Sequence, residues 1–387
     1  MATRVTSISR ISPAAAVSVA DRTTADRRVV LLLLPVVMLL IVGLGALMSA
    51  SSVVALRQTG DHLFFFKRQA MFAGIGLVVF AAATKIPYRW YARYAVLFLG
   101  VAVAGLVATL AFGEVRGGAR RWIDLGPVRL QVSEFVKLAV IAYLAAVLAR
   151  NEKSLGRFSH VFWPMTFALF AVGVPLLAQP DLGTTLIIGA AAFGVLSASA
   201  SPVRYVFTLA GLGGLLGLVA AYIQPYRWER IRSFLNPEAD PLGAGLQSIQ
   251  SLVALGSGGL FGVGLGASRA RWSFLPNAHT DFIFAIIGEE TGLAGSLVVV
   301  SLFAVFAIVG SSIAMNAPDS FGRLLSVGIV AWLSVQALVN IGGVTRLLPI
   351  TGVPLPFVSS GGSALIVNMA AVGVLVNIAQ SSRRASA

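Results

Sequence analysis

Residues 272–290, WSFLPNAHTDFIFAIIGEE, decide how this chain is read. The stretch sets His279, Thr280 and Asp281 against an apolar run that opens at Phe282, then places Glu289 and Glu290 inside that run. The pattern predicts a helix starting near Thr280 with Asp281 in its first turn, where the positive end of the helix dipole favours a carboxylate. Glu289 then falls close to the same helical face. Glu289 and Glu290 point about 100° apart, so at most one of them shares the face of Asp281. Ionisable groups in or at the edge of a membrane segment are costly and mark a functional site by default.

The rest of the chain supplies the membrane. Of 387 residues, 57% are hydrophobic and 11% charged, with a mean hydropathy of +0.87. A soluble domain carries about 25% charged residues. The absence of cysteine excludes disulfides and thiol chemistry, and His62, His160 and His279 are too scattered to suggest a histidine zinc site. The net charge of +14 points to cytoplasmic loops and anionic lipid headgroups. With no basic-aromatic soluble module, no nucleic-acid partner is expected.

Residues 1–28 read as a polar, basic, disordered cytoplasmic tail. Apolar runs long enough to cross a bilayer of about 30 Å follow near 29–49, 69–84, 92–113, 133–149, 160–178, 183–199, 203–223, 282–311, 322–344 and 363–380. The fold class is therefore an all-α polytopic membrane protein of about ten transmembrane helices, occupying 29–380, with residues 381–387 as a second cytoplasmic tail. A large extracytoplasmic loop, 224–281, joins helices 7 and 8. Within it, Gln247–Leu255 has the pattern of a short amphipathic helix at the membrane surface. An even span count puts both termini on one side, which the basic tail, Lys85, Arg89, Arg93, Arg150, Lys153 and Arg157 mark as cytoplasmic. The outer side is also basic, through Lys67, Arg68, Arg116, Arg120, Arg121, Arg129, Arg227, Arg230, Arg232, Arg269 and Arg271. Outward-facing arginines suit an anionic substrate such as a pyrophosphate.

Five polar constellations stand out, each with a plain structural alternative. Asp281 acts either as part of a helix cap with Thr280 or as a general base toward a sugar hydroxyl. Glu289 and Glu290 are either functional or a buried pair neutralised by Lys or Arg from another helix. Ser133 and Glu134 read as a capping arrangement; Lys137 one turn on either snorkels or, with Arg120, binds phosphate oxygens or pairs with an acid near Asp281. Gln179–Thr184 reads as a tight turn entering a helix. Gly352–Ser363, with two prolines and paired glycines, reads as a rigid re-entrant loop; Ser359, Ser360 and the Gly361 and Gly362 amides either face a headgroup or only plug the structure.

At these residues the chain resembles the SEDS family (shape, elongation, division and sporulation), the FtsW/RodA/SpoVE-type peptidoglycan glycosyltransferases. The resemblance covers nearly everything after the amino-terminal tail. It is carried by Ala119-Arg120-Arg121-Trp122-Ile123, Ser133-Glu134 with Lys137, Gln179-Pro180-Asp181, Arg230-Ile231, Asp240-Pro241, Leu275-Pro276 with His279-Thr280-Asp281-Phe282, Glu289-Glu290, and Pro354-Leu355-Pro356 with Ser359 and Gly361-Gly362-Ser363. It implies ten helices, polymerisation of lipid II at the outer face of a bacterial cytoplasmic membrane, and a class B penicillin-binding protein as transpeptidase partner among other divisome or elongasome membrane proteins.

The family's essential loop aspartate maps onto Asp281, the expected catalytic base. Arg120, Arg121 and Lys137 are the expected stabilisers of the departing pyrophosphate. Trp122, His279, Glu289, Ser359 and Gly361 complete the expected substrate-binding set. A divalent cation (Mg or Mn) bridging the pyrophosphate is compatible on charge grounds. The long basic tail and the form of the last loop tilt the reading toward the division type. The alternatives are a rod-shape elongation polymerase of the same family, a lipid II flippase, or a scaffold that recruits division proteins.

Overall fold

The computed structural model describes residues 13–116, 119–124, 126, 129–241, 243, 245–269 and 279–385. Residues 1–12 of the expected amino-terminal tail, the last two residues of the chain, and residues 270–278, which take in the first seven of the deciding stretch, lie outside them. The described residues form thirteen α-helices: α1 (Pro13–Thr59), α2 (Phe64–Lys85), α3 (Arg89–Arg93), α4 (Ala95–Phe112), α5 (Val132–Arg150), α6 (Phe158–Ala178), α7 (Leu182–Ser197), α8 (Val203–Ile223), α9 (Pro225–Leu235), α10 (Leu246–Gly258), α11 (Ile283–Met315), α12 (Ser320–Val344) and α13 (Gly362–Ala385). Nine of them are long and apolar enough to cross a membrane, among the described residues. A tenth apolar helix, α7, has 16 residues and spans about 24 Å at 1.5 Å per residue. The expected helical polytopic architecture stands, with one span short of bilayer thickness.

Two ends differ from expectation. The first helix starts at Pro13 rather than 29, and the last runs to Ala385 rather than 380. Alanine-rich and arginine-containing flanks are good helix formers, so each helix continues past its apolar run.

The expected fold omits a small sheet. Between α4 and α5 the chain forms β1 (Glu114–Arg116), β2 (Ala119–Asp124) and β3 (Arg129–Gln131), paired antiparallel in that order. Trp122 lies opposite Gln131, and Asp124 opposite Arg129. Ser133 does not cap α5: its hydroxyl has no partner, and the N-cap position is Gln131 in extended conformation. The Gln131 amide instead donates to Ser363 Oγ (3.1 Å), which in turn donates to Arg129 O (3.2 Å). A side chain of α13 thereby holds the sheet to the bundle.

Helices α5, α12 and α13 form the core. The apolar window of α13 is 83% buried, against 11% for α8, which lies at the periphery. Helix α13 packs along α2, while α12 packs against α5, α7 and α11.

Helix α11 is broken at Gly292 (φ 68°). The segment after α10 fills the break. Val263 and Gly264 amides donate to Glu289 O (3.0 Å) and Glu290 O (3.1 Å), while Leu293 and Ala294 amides donate to Gly259 O (2.9 Å) and Leu260 O (3.1 Å). Backbone groups freed inside an apolar helix must find protein partners. Gly262 (φ +83°) is needed there, because a Cβ would run into the Glu290 carbonyl.

The two adjacent acids each accept hydrogen bonds from neutral donors of other segments. Glu290 accepts from the Ser49 hydroxyl of α1. Glu289 accepts from the Ser268 hydroxyl and from the Arg269 amide (2.9 Å). Both are buried, so these hydrogen bonds offset part of their desolvation.

Candidate active site

Asp281 sits in a turn just ahead of α11, whose N-cap is Phe282 with no side-chain cap bond. It is therefore outside the first turn predicted for it, and the same-face relation to Glu289 does not hold. What fixes Asp281 is the loop between α12 and α13. That loop passes directly over the Asp281 turn and is tied to it at three points. Ser359 Oγ donates to Thr280 O (2.6 Å), the Ser360 amide donates to His279 O (3.2 Å), and Asn340 Nδ2 donates to both Asp281 O and Val353 O (2.8 Å each).

The loop is itself braced. The Leu355 amide donates to Ser359 Oγ (2.8 Å), and Gln336 Nε2 donates to Pro354 O (2.8 Å). On its far side Gln69 of α2 donates to Ser359 O (3.2 Å) and accepts from the Gly361 amide (3.2 Å). The re-entrant reading of Gly352–Ser363 is thus given partners for its non-helical backbone. Ser359 and Gly361, however, spend their polar groups on the fold.

The Asp281 carboxylate is half-buried and opens on a narrow crevice lined by Asn340, Gly343, Ile350, Thr351, Gly352 and Val353. A Cβ on Gly352 would lie 3.5 Å from Asp281 Oδ2 and 3.8 Å from Arg230 Nη1, ordinary contact distances; it is the positive φ of +74° that favours glycine there. Desolvation pushes the Asp281 carboxyl up from the ordinary carboxylate range to about 6. Arg230, then Arg121, and a hydrogen bond from Thr280 oppose that rise.

Each guanidinium is anchored to backbone. Arg230 of α9 donates to Ile350 O (3.1 Å). Arg121 of β2 donates through Nε to Gln179 O (3.1 Å) and through Nη2 to Pro180 O. Behind that contact, Asp181 caps α7 by accepting from the Thr184 amide (3.2 Å), as the turn reading expects. Gln179 Nε2 reaches Leu106 O (2.9 Å).

Not every expected residue joins this group. Arg120 is exposed and reaches Leu110 O (3.3 Å). Successive strand residues face opposite ways, so β2 can aim only one of the pair at Asp281. Trp122 is half-buried in β2, in register with Gln131. His279 packs against Phe65 (5.0 Å between centroids), and burial holds its imidazole below the usual range. Glu289 is occupied by Ser268 and Arg269.

Lys137 neither snorkels nor pairs with an acid near Asp281. It is buried in the bundle, 2.7 Å from Glu134, donating to Gln336 Oε1 (2.9 Å) and lying over Trp332. In this conformation it is withdrawn from the role expected at the pyrophosphate.

Arg230, Gly352, Asn340 and Gln69 were missing from the expected set. Arg230 was part of a family landmark, Arg230-Ile231, but stood among many outer basic residues with nothing to assign it to the Asp281 site. Gly352 was read only as the start of the re-entrant loop, and Gln69 and Asn340 are polar residues far from Asp281 in sequence.

The donor set does not fit a resident divalent cation. One carboxylate is flanked by two guanidiniums, and residues 270–278 contribute no acid. No three His, Cys, Asp or Glu side chains converge on a metal-sized site among the described residues.

Comparison with known proteins agrees with this fold. A family model of the FtsW, RodA and SpoVE proteins, described as "Cell cycle protein", matches residues 30–384. Stage V sporulation protein E of Bacillus subtilis is 43% identical over 91% of this chain and 97% of its own length. The probable peptidoglycan glycosyltransferase FtsW of Geobacter sp. is 40% identical over 92% of this chain and 98% of its own. Among solved structures, a chain described under "Structural coordination of polymerization and crosslinking by a peptidoglycan synthase complex" has a TM-score of 0.73 at 27% identity, covering 91% of this chain and 97% of that one. The rod shape determining protein RodA of Thermus thermophilus gives 0.67 at 26% identity, over 90% and 96%. With the match running from the first span to the end of the last helix and the fold shared, this chain belongs to the FtsW/RodA/SpoVE family of cell cycle proteins.

Proposed function

We propose that this chain is a peptidoglycan glycosyltransferase that polymerises lipid II at the outer face of the bacterial cytoplasmic membrane, with Asp281 as general base. The observation that carries the reading is the Asp281 carboxylate held over Gly352, with its pKa raised to about 6 and two anchored guanidiniums bearing on it. A base of that pKa is mostly ionised at neutral pH yet basic enough to accept a proton from a sugar hydroxyl in the transition state.

In this mechanism Asp281 takes the proton of the acceptor sugar's 4-hydroxyl as that oxygen bonds to the anomeric carbon of the donor. The bond from that carbon to the pyrophosphate oxygen breaks, and undecaprenyl pyrophosphate leaves with the electron pair. Arg121 and Arg230 are placed to stabilise charge as it develops. Arg120 stays a second-rank candidate on the exposed face of β2.

The proposal extends to context. Both termini lie in the cytoplasm, a class B penicillin-binding protein crosslinks the product, and the activity serves the septum. Support comes from the FtsW relatives and from the synthase complex that this fold resembles. The test is strand synthesis from lipid II by the purified protein, with and without the transpeptidase. Asp281→Asn should reduce synthesis by about 10²–10⁴-fold. Wild-type synthesis by that variant would reject the base. Lipid II translocation without polymerisation would favour the flippase, and a fluorescent fusion confined to the lateral wall would reject the septal role.

A further inference from the structure

We infer that Asn340 is a positioning residue for Asp281, pinning the backbone of the Asp281 turn and that of the Gly352–Val353 segment to one point on α12. This rests on the reading of Asp281 as base.

Asn340 is 5% exposed, and its Nδ2 makes two hydrogen bonds of 2.8 Å to Asp281 O and Val353 O. Those carbonyls belong to segments far apart in sequence, and neither lies in a helix. The two protons of one amide therefore set the spacing between the carboxylate and the glycine it faces. Asn340 also lines the crevice beside Asp281, and its Oδ1 has no hydrogen-bond partner in the protein. A group whose only role was to satisfy buried polar atoms would be expected to use both ends.

No other residue type does this as well from that position. Aspartate has no second donor, leucine has none, and glutamine is one methylene too long for the same two bonds. One turn earlier on the same helical face, Gln336 holds Pro354 O but reaches nothing in the Asp281 turn. Ser359 holds Thr280 O from the other side. Asn340 is the contact that bridges the acid's own carbonyl to the strand of loop opposite it.

The charged groups that bear on Asp281 come from separate elements, Arg230 from α9 and Arg121 from β2. The nearby titratable His279 faces Phe65 of α2. Asn340 is neutral, so removing it acts on Asp281 through position and hydration. Replacing it by aspartate adds a charge as well.

The test uses the purified full chain with lipid II, measuring kcat, KM and the pH profile of kcat/KM, alongside hydrogen exchange over 279–282 and 351–360. Asn340→Ala should lower kcat by about 10²-fold, as expected for a misplacement near 1 Å, with KM little changed. Its acidic limb should move down as water reaches the carboxylate, while that of Asn340→Asp should move up through like-charge repulsion. Exchange over 351–360 should quicken in both. Unaltered exchange in Asn340→Ala, or a loss of rate with the limb unmoved in both variants, would overturn the inference. If Asp281→Asn proves fully active, the base reading falls, and the exchange comparison still decides whether Asn340 pins the two segments.

Discussion

Gly352 faces the Asp281 carboxylate, and a Cβ added to it would stand 3.5 Å from Oδ2 and 3.8 Å from Arg230 Nη1, ordinary contact distances. Its backbone has φ +74°, a region that costs a side-chain-bearing residue about 1–2 kcal/mol. Gly352→Ala should fold with reduced stability through backbone strain, and synthesis should fall as that strain shifts the segment facing Asp281. Gly352→Val should lose both more severely. Thermal melting in detergent and a lipid II polymerisation assay report the two effects separately.

The raised pKa of Asp281 gives a signed pH dependence. A base must be ionised, so synthesis should fall as pH drops below about 6. Arg230 is the largest opposing influence on that carboxyl, so Arg230→Gln should move the acidic limb to higher pH, and Arg121→Gln should move it less. A limb that moves downward in Arg230→Gln would contradict the electrostatic account of the site.

The same shift has a sign for stability. The folded carboxyl holds its proton to about pH 6, whereas the ordinary value for such a carboxyl is 3.8. Between those values the folded state binds more protons, so Asp281 lowers stability as pH rises through that window. Above it, Asp281→Asn should melt higher than the wild type while making no glycan. Equal melting temperatures at pH 8 would count against burial as the cause of the shift.

Ser359→Ala removes a hydroxyl that donates to Thr280 O and accepts from the Leu355 amide. The amide is left buried without that partner, at a cost of about 1–3 kcal/mol. A lowered melting temperature, with faster hydrogen exchange around Leu355, is the expected result.

Lys137→Met leaves Glu134 buried beside nothing positive, and breaking such a pair costs about 3–5 kcal/mol. The double change Glu134→Gln with Lys137→Met should recover much of that loss, because the uncompensated charge is gone. Melting of both variants and their double-mutant cycle measure it.

The helices were legible because apolar runs of spanning length have few other readings. The amphipathic stretch Gln247–Leu255 was legible too, and α10 covers it. Asp281 was singled out because an acid at the head of an apolar run is costly without a purpose. The misreadings share a cause: local pattern was asked to answer a tertiary question. Ser133 looks like a cap until Ser363 of α13 takes over the Gln131 amide. Lys137 looks like a snorkelling or substrate-facing cation until Glu134 and Gln336 enclose it. Arg230 and Asn340 carry no local signature, since what matters is the loop residues they meet 120 and 59 positions away. The short sheet went unseen because its strands are three to six residues long and hold no apolar alternation.

The break in α11 at Gly292 sets which parts of this molecule can change length. Four main-chain bonds at that break come from Gly259–Gly264, so a single residue added or lost there would strand polar groups in a nonpolar surrounding, each at several kcal/mol. Among its described residues, the link from Leu235 to Leu246 makes no main-chain hydrogen bond to α11. Natural variation in size, and any inserted tag or epitope, should be accommodated in that link and rejected at the glycine turn.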